Sequence, residues 1–350
     1  MLMVAMYPRG FTGTKYRLAV WAERLRRQGH SVELDLTMAD HHAQRLANDW
    51  SARARAEFHL RMLRARIATV SHAGAFHVVM IHMNDLPFWD HGPPFVADAM
   101  RRVAGRLVLD LDDLPVVSGQ DELAPKARAL GGLVDGLIVG NRAVPSHYPG
   151  QPWWLVPTCV EPGRWPVPDR SCRSDPPVLG WVGTPGNLEN LNHLAPVLED
   201  VCRRHGTKLR VVCSEPADLP GVPQEFVRWT AAGEQTDLEP MDIGLAPLLD
   251  APIQRHKSGL KALQYMASGM PVVAAPVGAL REIVEDGGCG LHATTTEEWT
   301  HALDRLITDR DLRLRMGAAA RDRVEHYWSF AAHETAFEDA LRGLRPHGGP

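Results

Sequence analysis

Three groups of residues have types and spacings that could do chemistry. The first is the run 255–278, Arg-His-Lys-Ser-Gly-Leu-Lys-Ala-Leu-Gln-Tyr-Met-Ala-Ser-Gly-Met-Pro-Val-Val-Ala-Ala-Pro-Val-Gly. Ser258 is a good N-cap residue, and Gly259 in the first turn would let a ligand approach backbone N–H groups at the positive end of a helix dipole, where a phosphate is favoured. Lys257, Lys261 and Gln264 recur at i, i+4 and i+7, so two cations and an amide share one face, while Leu260, Leu263 and Ala267 form an apolar stripe on another. The same spacing suits an ordinary amphipathic helix with a solvated basic face, and spacing alone does not choose. The second group, His82-Met-Asn-Asp85, lies just past an apolar run, at the strand end where open α/β sheets hold ligands. A histidine there serves either as a hydrogen-bonded structural residue or in function. The third group is Asp110 with Asp112-Asp113. An Asp-x-Asp pair can hold a divalent cation on a nucleotide diphosphate or cap the following helix. No second acidic cluster lies near it, and His72, His77 and His82 lack metal-ligand spacing, so no metal is assigned.

The composition bounds what these groups can belong to. A chain of 350 residues with 45% hydrophobic content is long enough for two cored domains. A net charge of −4 argues against a dedicated nucleic-acid binder, which needs a basic balance and a clustered Lys/Arg stripe. The five cysteines are odd in number and form no Cys-x-x-Cys pair, as expected of reduced thiols in a cytoplasmic protein. No basic leader and no long apolar stretch is present, so neither a signal peptide nor a membrane span is expected.

The elements that must position these residues alternate between strand and helix. A strand over 2–6, a turn carrying Gly10 and Gly13, a helix over 16–28 and a strand over 31–36 form a βαβ opening. Gly10 and Gly13 do not make the G-x-G-x-x-G dinucleotide fingerprint. Residues 40–71 read as a basic amphipathic helix with Trp50, Phe58, Leu60, Leu63 and Ile67 on its apolar side, suited to solvent or to an anionic surface. Strands follow at 78–81, 107–111 and 136–139. A stretch rich in Pro, Arg, Ser and Asp then reads as a linker. A second series opens with a strand at 178–182 and the turn Gly183-Thr184-Pro-Gly186, continues with a helix over 188–204, and has strands at 209–213, 226–229, 242–248 and 270–275. Helices close the chain at 297–325 and 331–344. Two halves that each open on a strand and a glycine turn imply an α/β chain of two doubly wound, Rossmann-like domains facing across a cleft. The expected boundaries are 1–162, a linker over 163–177, 178–328, and a final segment 329–350.

Gly183-Thr-Pro-Gly, Asp242-Ile-Gly-Leu-Ala-Pro-Leu, the run from Lys257 to Gly278 and Arg281-Glu-Ile-Val-Glu-Asp-Gly resemble the donor domain of glycosyltransferase family 4, a retaining GT-B family. The similarity is specific in the C-terminal half and only in outline in the N-terminal half. It implies a metal-independent transferase with no cofactor, whose donor is a UDP- or GDP-sugar held mainly by the C-terminal domain. On that resemblance Gly13, Gly183, Thr184, Lys257, Ser258, Gly259, Leu260 and Gln264 are donor-binding, while His82, Lys261 and His256 are catalytic. The E-x7-E pair of the family falls on His256 and Gln264, so the usual carboxylates are absent from those positions. The family's Arg and Lys phosphate pair is not evident in 183–187, which gives Lys257 and Lys261 more of the diphosphate charge. Retention in the family is attributed to front-face transfer, in which the departing phosphate helps deprotonate the acceptor. The final helix is expected to return to the N-terminal domain. The short loops and the lack of a strong membrane element favour a small-molecule acceptor, in natural-product or antibiotic biosynthesis, without nucleic-acid or membrane partners and compatible with a homodimer. A non-catalytic sugar-nucleotide binder and transfer to a lipid-linked acceptor are the competing readings.

Overall fold

The computed structural model describes residues 1–38, 51–86, 92–114, 123–173 and 175–347. They fall into two compact units, one of Met1–Thr158 with Glu334–Pro350 and one of Cys159–His333.

In the first unit short apolar runs become central strands that are buried on both faces, the pattern of a parallel sheet covered by helices, while the edge strands Glu33–Leu36 and Trp153–Leu155 are partly exposed. Leu2–Ala5 (β1), Glu33–Leu36 (β2), Val78–His82 (β3), Arg106–Leu111 (β4), Gly136–Val139 (β5) and Trp153–Leu155 (β6) pair in the order β2-β1-β3-β4-β5-β6, every pair parallel. Leu2, Val4, Val79, Ile81, Leu107 and Leu109 belong to one hydrophobic core. The helix Val20–Arg27 brings Trp21 against Phe337 of the last helix, Glu334–Arg342, with stacked rings 4.2 Å apart. Trp154 Nε1 donates to the Leu344 carbonyl at 2.6 Å, and Arg24 pairs with Glu334 at 3.3 Å. The end of the chain is thereby built into the first unit.

Of the basic helix expected over 40–71, residues 40–50, including Trp50, lie outside the described residues. The rest is the helix Ala52–Ala73, capped by Ser51 Oγ, which accepts from Ala54 N at 3.2 Å. Its buried stripe is Phe58, Met62, Arg66, Thr69 and Ala73, whereas Leu60 and Ile67, expected on the apolar side, are exposed. The stripe includes Arg66 because its Nε donates to the Asp85 carbonyl at 3.0 Å, a pairing of residues far apart in the chain. No described helix is long and apolar enough to cross a membrane.

The second unit repeats the architecture with Leu179–Val182 (β7), Leu209–Cys213 (β8), Gln224–Arg228 (β9), Ile243–Ala246 (β10), Val272–Ala274 (β11) and Gly290–His292 (β12). Their order is β12-β11-β10-β7-β8-β9, all parallel, which is the strand order of a Rossmann sheet. The helix expected over 188–204 is divided into Leu188–Asn192 and Ala195–His205, with Pro196 in the first turn of the second piece. Gly206, at φ +65, ends it. Residues 163–173 and 175–177, read from composition as a linker, are part of this unit. Arg170 is buried there and donates to the carbonyls of Met241 (3.0 Å) and Ser268 (2.7 Å). The polar composition that suggested a linker supplies hydrogen bonds instead.

Candidate active site

Open parallel sheets bind ligands beyond the carboxyl ends of the strands, where the strand order reverses. In the second unit that point lies between β7 and β10, and the two segments leaving it are the turn after β7 and the loop that leads to the helix Leu260–Ala267. Asn190 holds the loop by accepting from Leu249 N at 2.9 Å. A short turn, Pro252–His256, follows, and Gly278, at φ +55, has no side chain to collide with the Arg255 carbonyl packed against it.

The helix start departs from expectation in one respect. Ser258 is not the N-cap: that position is Gly259, at φ +68 and ψ 16, and no side chain caps this end. A left-handed turn is needed to bring the chain from the extended Lys257 into the helix, and glycine adopts it without the Cβ penalty. The site is crowded as well, since a Cβ on Gly259 would overlap Ile283 Cδ1 and lie 3.3 Å from Leu280 Cδ2. Leu260 is buried at the first helical position.

Three long-range contacts hold this helix in place. Tyr265, fully buried, accepts from Val182 N at 2.6 Å and so ties the helix to the end of β7. Its ring passes β10 where Gly244 leaves space; a Cβ there would be 2.5 Å from the ring. At the carboxyl end, Arg170 donates to the Ser268 carbonyl and Arg321 to that of Ala267, placing two cations at the negative pole of the dipole. Burial and the nearby Arg173 lower the Arg170 pKa to about 10, opposed by Asp242, which leaves the guanidinium charged at neutral pH.

Lys257, Ser258 and Lys261 are all half-buried around the helix start. Lys261 Nζ donates to Gln264 Oε1 at 3.0 Å, and Gln264 Nε2 donates to Glu234 Oε1 at 3.1 Å. Gln264 is 1% exposed and Glu234 6% exposed. A cation, an amide and a carboxylate are thus linked in sequence. His256, 7% exposed, bonds the Pro252 carbonyl through Nδ1 at 2.8 Å, so that nitrogen carries the proton and any reaction would have to use Nε2. After β7, Gly183 is half-buried, with no room for a Cβ beside the Trp181 ring. Thr184 is exposed and accepts from Asn187 Nδ2 at 3.0 Å.

The first unit has its own switch point, between β1 and β3, and there His82 and Gly13 meet. A Cβ on Gly13 would stand 3.2 Å from His82 Nε2, so a larger residue would press on the ring. His82 Nδ1 bonds Asp110 Oδ2 at 2.8 Å. Asp110, 1% exposed, also accepts from Arg17, whose Nε lies 3.2 Å away and whose Nη1 donates to the Val156 carbonyl at 2.6 Å. Burial works against charging His82, but Asp112 and the hydrogen-bonded Asp110 outweigh it and raise its pKa above 6.5. Burial also opposes ionisation of Asp110, yet Arg17 and His82 hold its pKa below the usual carboxylate value. Of the Asp-x-Asp pair, Asp110 turns inward to Arg17 and His82, while Asp112 Oδ2 would lie 3.7 Å from a Cβ on Gly13, near the same ring. Among the described residues no three His, Cys, Asp or Glu side chains converge as a metal site.

Gly183, Thr184 and the residues from His256 to Gln264 are thus gathered at one switch point, and Gly13 and His82 at the other. Sequence reasoning missed Glu234, Asn190 and Arg17. Glu234 lies in an irregular loop with no periodicity to reveal it, and Arg17 looks like one more arginine of a surface helix.

Comparison with known proteins agrees with this geometry. Residues 176–309 match the family model described as Glycosyl transferases group 1. A D-inositol 3-phosphate glycosyltransferase of Corynebacterium aurimucosum is 39% identical over 101 residues, which is 27% of this chain and 24% of that protein. One of Corynebacterium kroppenstedtii is 30% identical over 185 residues, 47% of this chain and 41% of its own length. The chain thus spans less than half the length of these relatives. Among solved structures, sucrose-phosphate synthase of Thermosynechococcus elongatus has a TM-score of 0.73 at 15% identity, covering 98% of both chains. The Anabaena protein HepE in complex with UDP and glucose has a TM-score of 0.72 at 14% identity, over 98% of this chain and 99% of that one.

Proposed function

We propose that this chain, which has a GT-B fold and whose residues 176–309 form a glycosyl transferases group 1 domain, moves a sugar from a UDP- or GDP-linked donor to a small-molecule acceptor, retaining the anomeric configuration and using no metal or resident cofactor. The observation that carries this reading is the helix start at the second switch point. Lys257 and Lys261 flank a glycine-capped N-terminus that is held rigidly by Tyr265, Arg170 and Arg321. As the anomeric bond breaks, charge develops on the departing diphosphate, and fixed cations and dipoles stabilise it without reorganisation. Lys257, Lys261 and the backbone of Ser258 and Gly259 take that part, with Gly183 and Thr184 bordering the donor. The departing phosphate draws the acceptor proton. His82, held by its hydrogen bond to Asp110, and Gly13 beside it position the transferred sugar or acceptor. The HepE complexes with UDP and with UDP-glucose support a nucleotide-sugar donor for this fold. We place the reaction in the cytoplasm, in natural-product assembly.

The test is release of nucleotide from UDP- and GDP-sugars, with and without candidate acceptors. Lys261→Ala should cut turnover by about 10²-fold or more, the scale for losing one oriented charge-stabilising group, with unchanged circular dichroism and melting. Undiminished turnover in that variant refutes the assignment of Lys261. Tight nucleotide-sugar binding by the native chain without release under any acceptor identifies a non-catalytic binder instead.

A further inference from the structure

We propose that Arg17 is a positioning residue for the transfer reaction: it clamps Asp110 so that neutral His82 keeps its proton on Nδ1 and presents Nε2, as a hydrogen-bond acceptor, beside Gly13. This inference rests on the reading of His82 as a group that positions the transferred sugar or acceptor. Arg17 reaches Asp110 from an irregular turn. Lys15–Ala19 is a π-turn, closed by Val20 N donating to the Lys15 carbonyl five residues back, and it joins the short helical turn Thr12–Thr14 to the helix Val20–Arg27. Such turns are rare and recur at functional sites. Within this one Arg17 is 1% exposed, between buried Tyr16 and Leu18.

His82 and Asp110 are register partners on the adjacent strands β3 and β4, so their side chains leave the same face of the sheet. The guanidinium then fixes the carboxylate. Its Nε and Nη2 each meet one Asp110 oxygen, and its Nη1 donates to the Val156 carbonyl at 2.6 Å, a planar three-point hold that the single ammonium of a lysine lacks. His82 Nδ1 shares Asp110 Oδ2 with the Arg17 Nε, at 2.8 Å. The polarity of this last bond decides what Nε2 can do. An ionised carboxylate only accepts, so Nδ1 donates, and Nε2 of the neutral ring is an acceptor matched to the hydroxyl of a sugar or acceptor. A protonated Asp110 would donate to Nδ1 instead, and the ring proton would sit on Nε2, making it a donor. Burial favours that protonated form of Asp110, and the Arg17 charge is the foremost influence against it. The charged groups that act on His82 itself are Asp112, Asp110 and Arg17.

Nitrogen-15 NMR of the full chain, labelled at histidine, tests this. The His82 signals are those missing from His82→Gln, and they are read at a pH where their own titration shows the ring to be neutral. The native ring should show a pyrrole-type Nδ1 and a pyridine-type Nε2. Arg17→Gln should exchange or mix the two, whereas Arg17→Lys, which keeps the charge, should retain the native pattern. In nucleotide release from UDP- and GDP-sugars, with candidate acceptors or water taking the sugar, Arg17→Gln should lower kcat about ten- to a hundredfold, the range for leaving a buried polar group unmet. KM should stay within about twofold, since donor binding is not touched, and Arg17→Lys should recover most of the loss. A native ring with its proton on Nε2 overturns the proposal without any variant having to fold. A folded Arg17→Gln that keeps the native pattern, or loses it with undiminished kcat, overturns it too, and both results leave the nucleotide-sugar reading standing. A native chain with the expected ring pattern that releases no nucleotide from any donor overturns the transferase reading, and the role of Arg17 in transfer with it.

Discussion

Replacing Gly259 by alanine separates a glycine that shapes a ligand site from one that merely ends a turn. At φ +68 an L-residue costs about 1 kcal/mol relative to glycine. The added Cβ would also overlap Ile283 Cδ1 and press on Leu280 Cδ2 at 3.3 Å, an overpacking worth about 2 kcal/mol in a well-filled interior. The sum of about 3 kcal/mol corresponds to a melting temperature about 6–12 °C lower for a unit of this size. Gly287 provides the internal control, with φ +76 and no atom within 4 Å of a built Cβ. Gly287→Ala should therefore show only the backbone cost of about 1 kcal/mol, about 2–4 °C. Thermal denaturation followed by circular dichroism measures both variants, and hydrogen exchange at the amides of residues 260–263 reports whether the helix start has loosened. Nucleotide affinity should fall in Gly259→Ala and hold in Gly287→Ala. Equal melting of the two variants refutes the packing argument. Unchanged nucleotide affinity in a destabilised Gly259→Ala refutes the link from that packing to the site.

Two further outcomes follow from buried hydrogen bonds. Tyr265→Phe removes the acceptor for Val182 N and leaves a buried N–H unmet, which should cost about 1–3 kcal/mol in urea denaturation; a loss below about 0.5 kcal/mol would mean the hydroxyl does not anchor the helix. The His82–Asp110 contact has a defined pH window. The folded pKa of His82 lies above its unfolded value of 6.5, so its contribution is fully present below about pH 6.5 and disappears as the pH rises through the folded value. Asp110 has the opposite sign: its contribution is present above the unfolded value of 3.8 and is lost on acidification through its lower folded value. The difference in urea midpoint between the native chain and His82→Gln should thus be greatest below about pH 6.5 and shrink as the pH rises through the folded value, whereas a flat or growing difference contradicts the pairing.

The sequence by itself determined the repeating strand and helix pattern, the two doubly wound halves and the position of the candidate phosphate site. Those features are local: a continuous apolar run makes a buried strand, and Gly259 between Lys257 and Lys261 places cations and free backbone at a helix start wherever that helix packs. What it misread locally was the cap. A serine's side-chain preference pointed to Ser258, but the left-handed turn needed to enter the helix assigns the cap to Gly259. Tertiary structure alone decided the partners. Glu234 meets Gln264 across 30 residues, Arg17 meets Asp110 across 93, and Arg170 caps the helix at Ser268 across 98. Each is a buried polar group whose desolvation is offset only by a partner from another element, and such pairing leaves no period or spacing in the chain. The same holds for Asp110, legible beforehand as half of an Asp-x-Asp pair and turned by the fold towards Arg17 and His82.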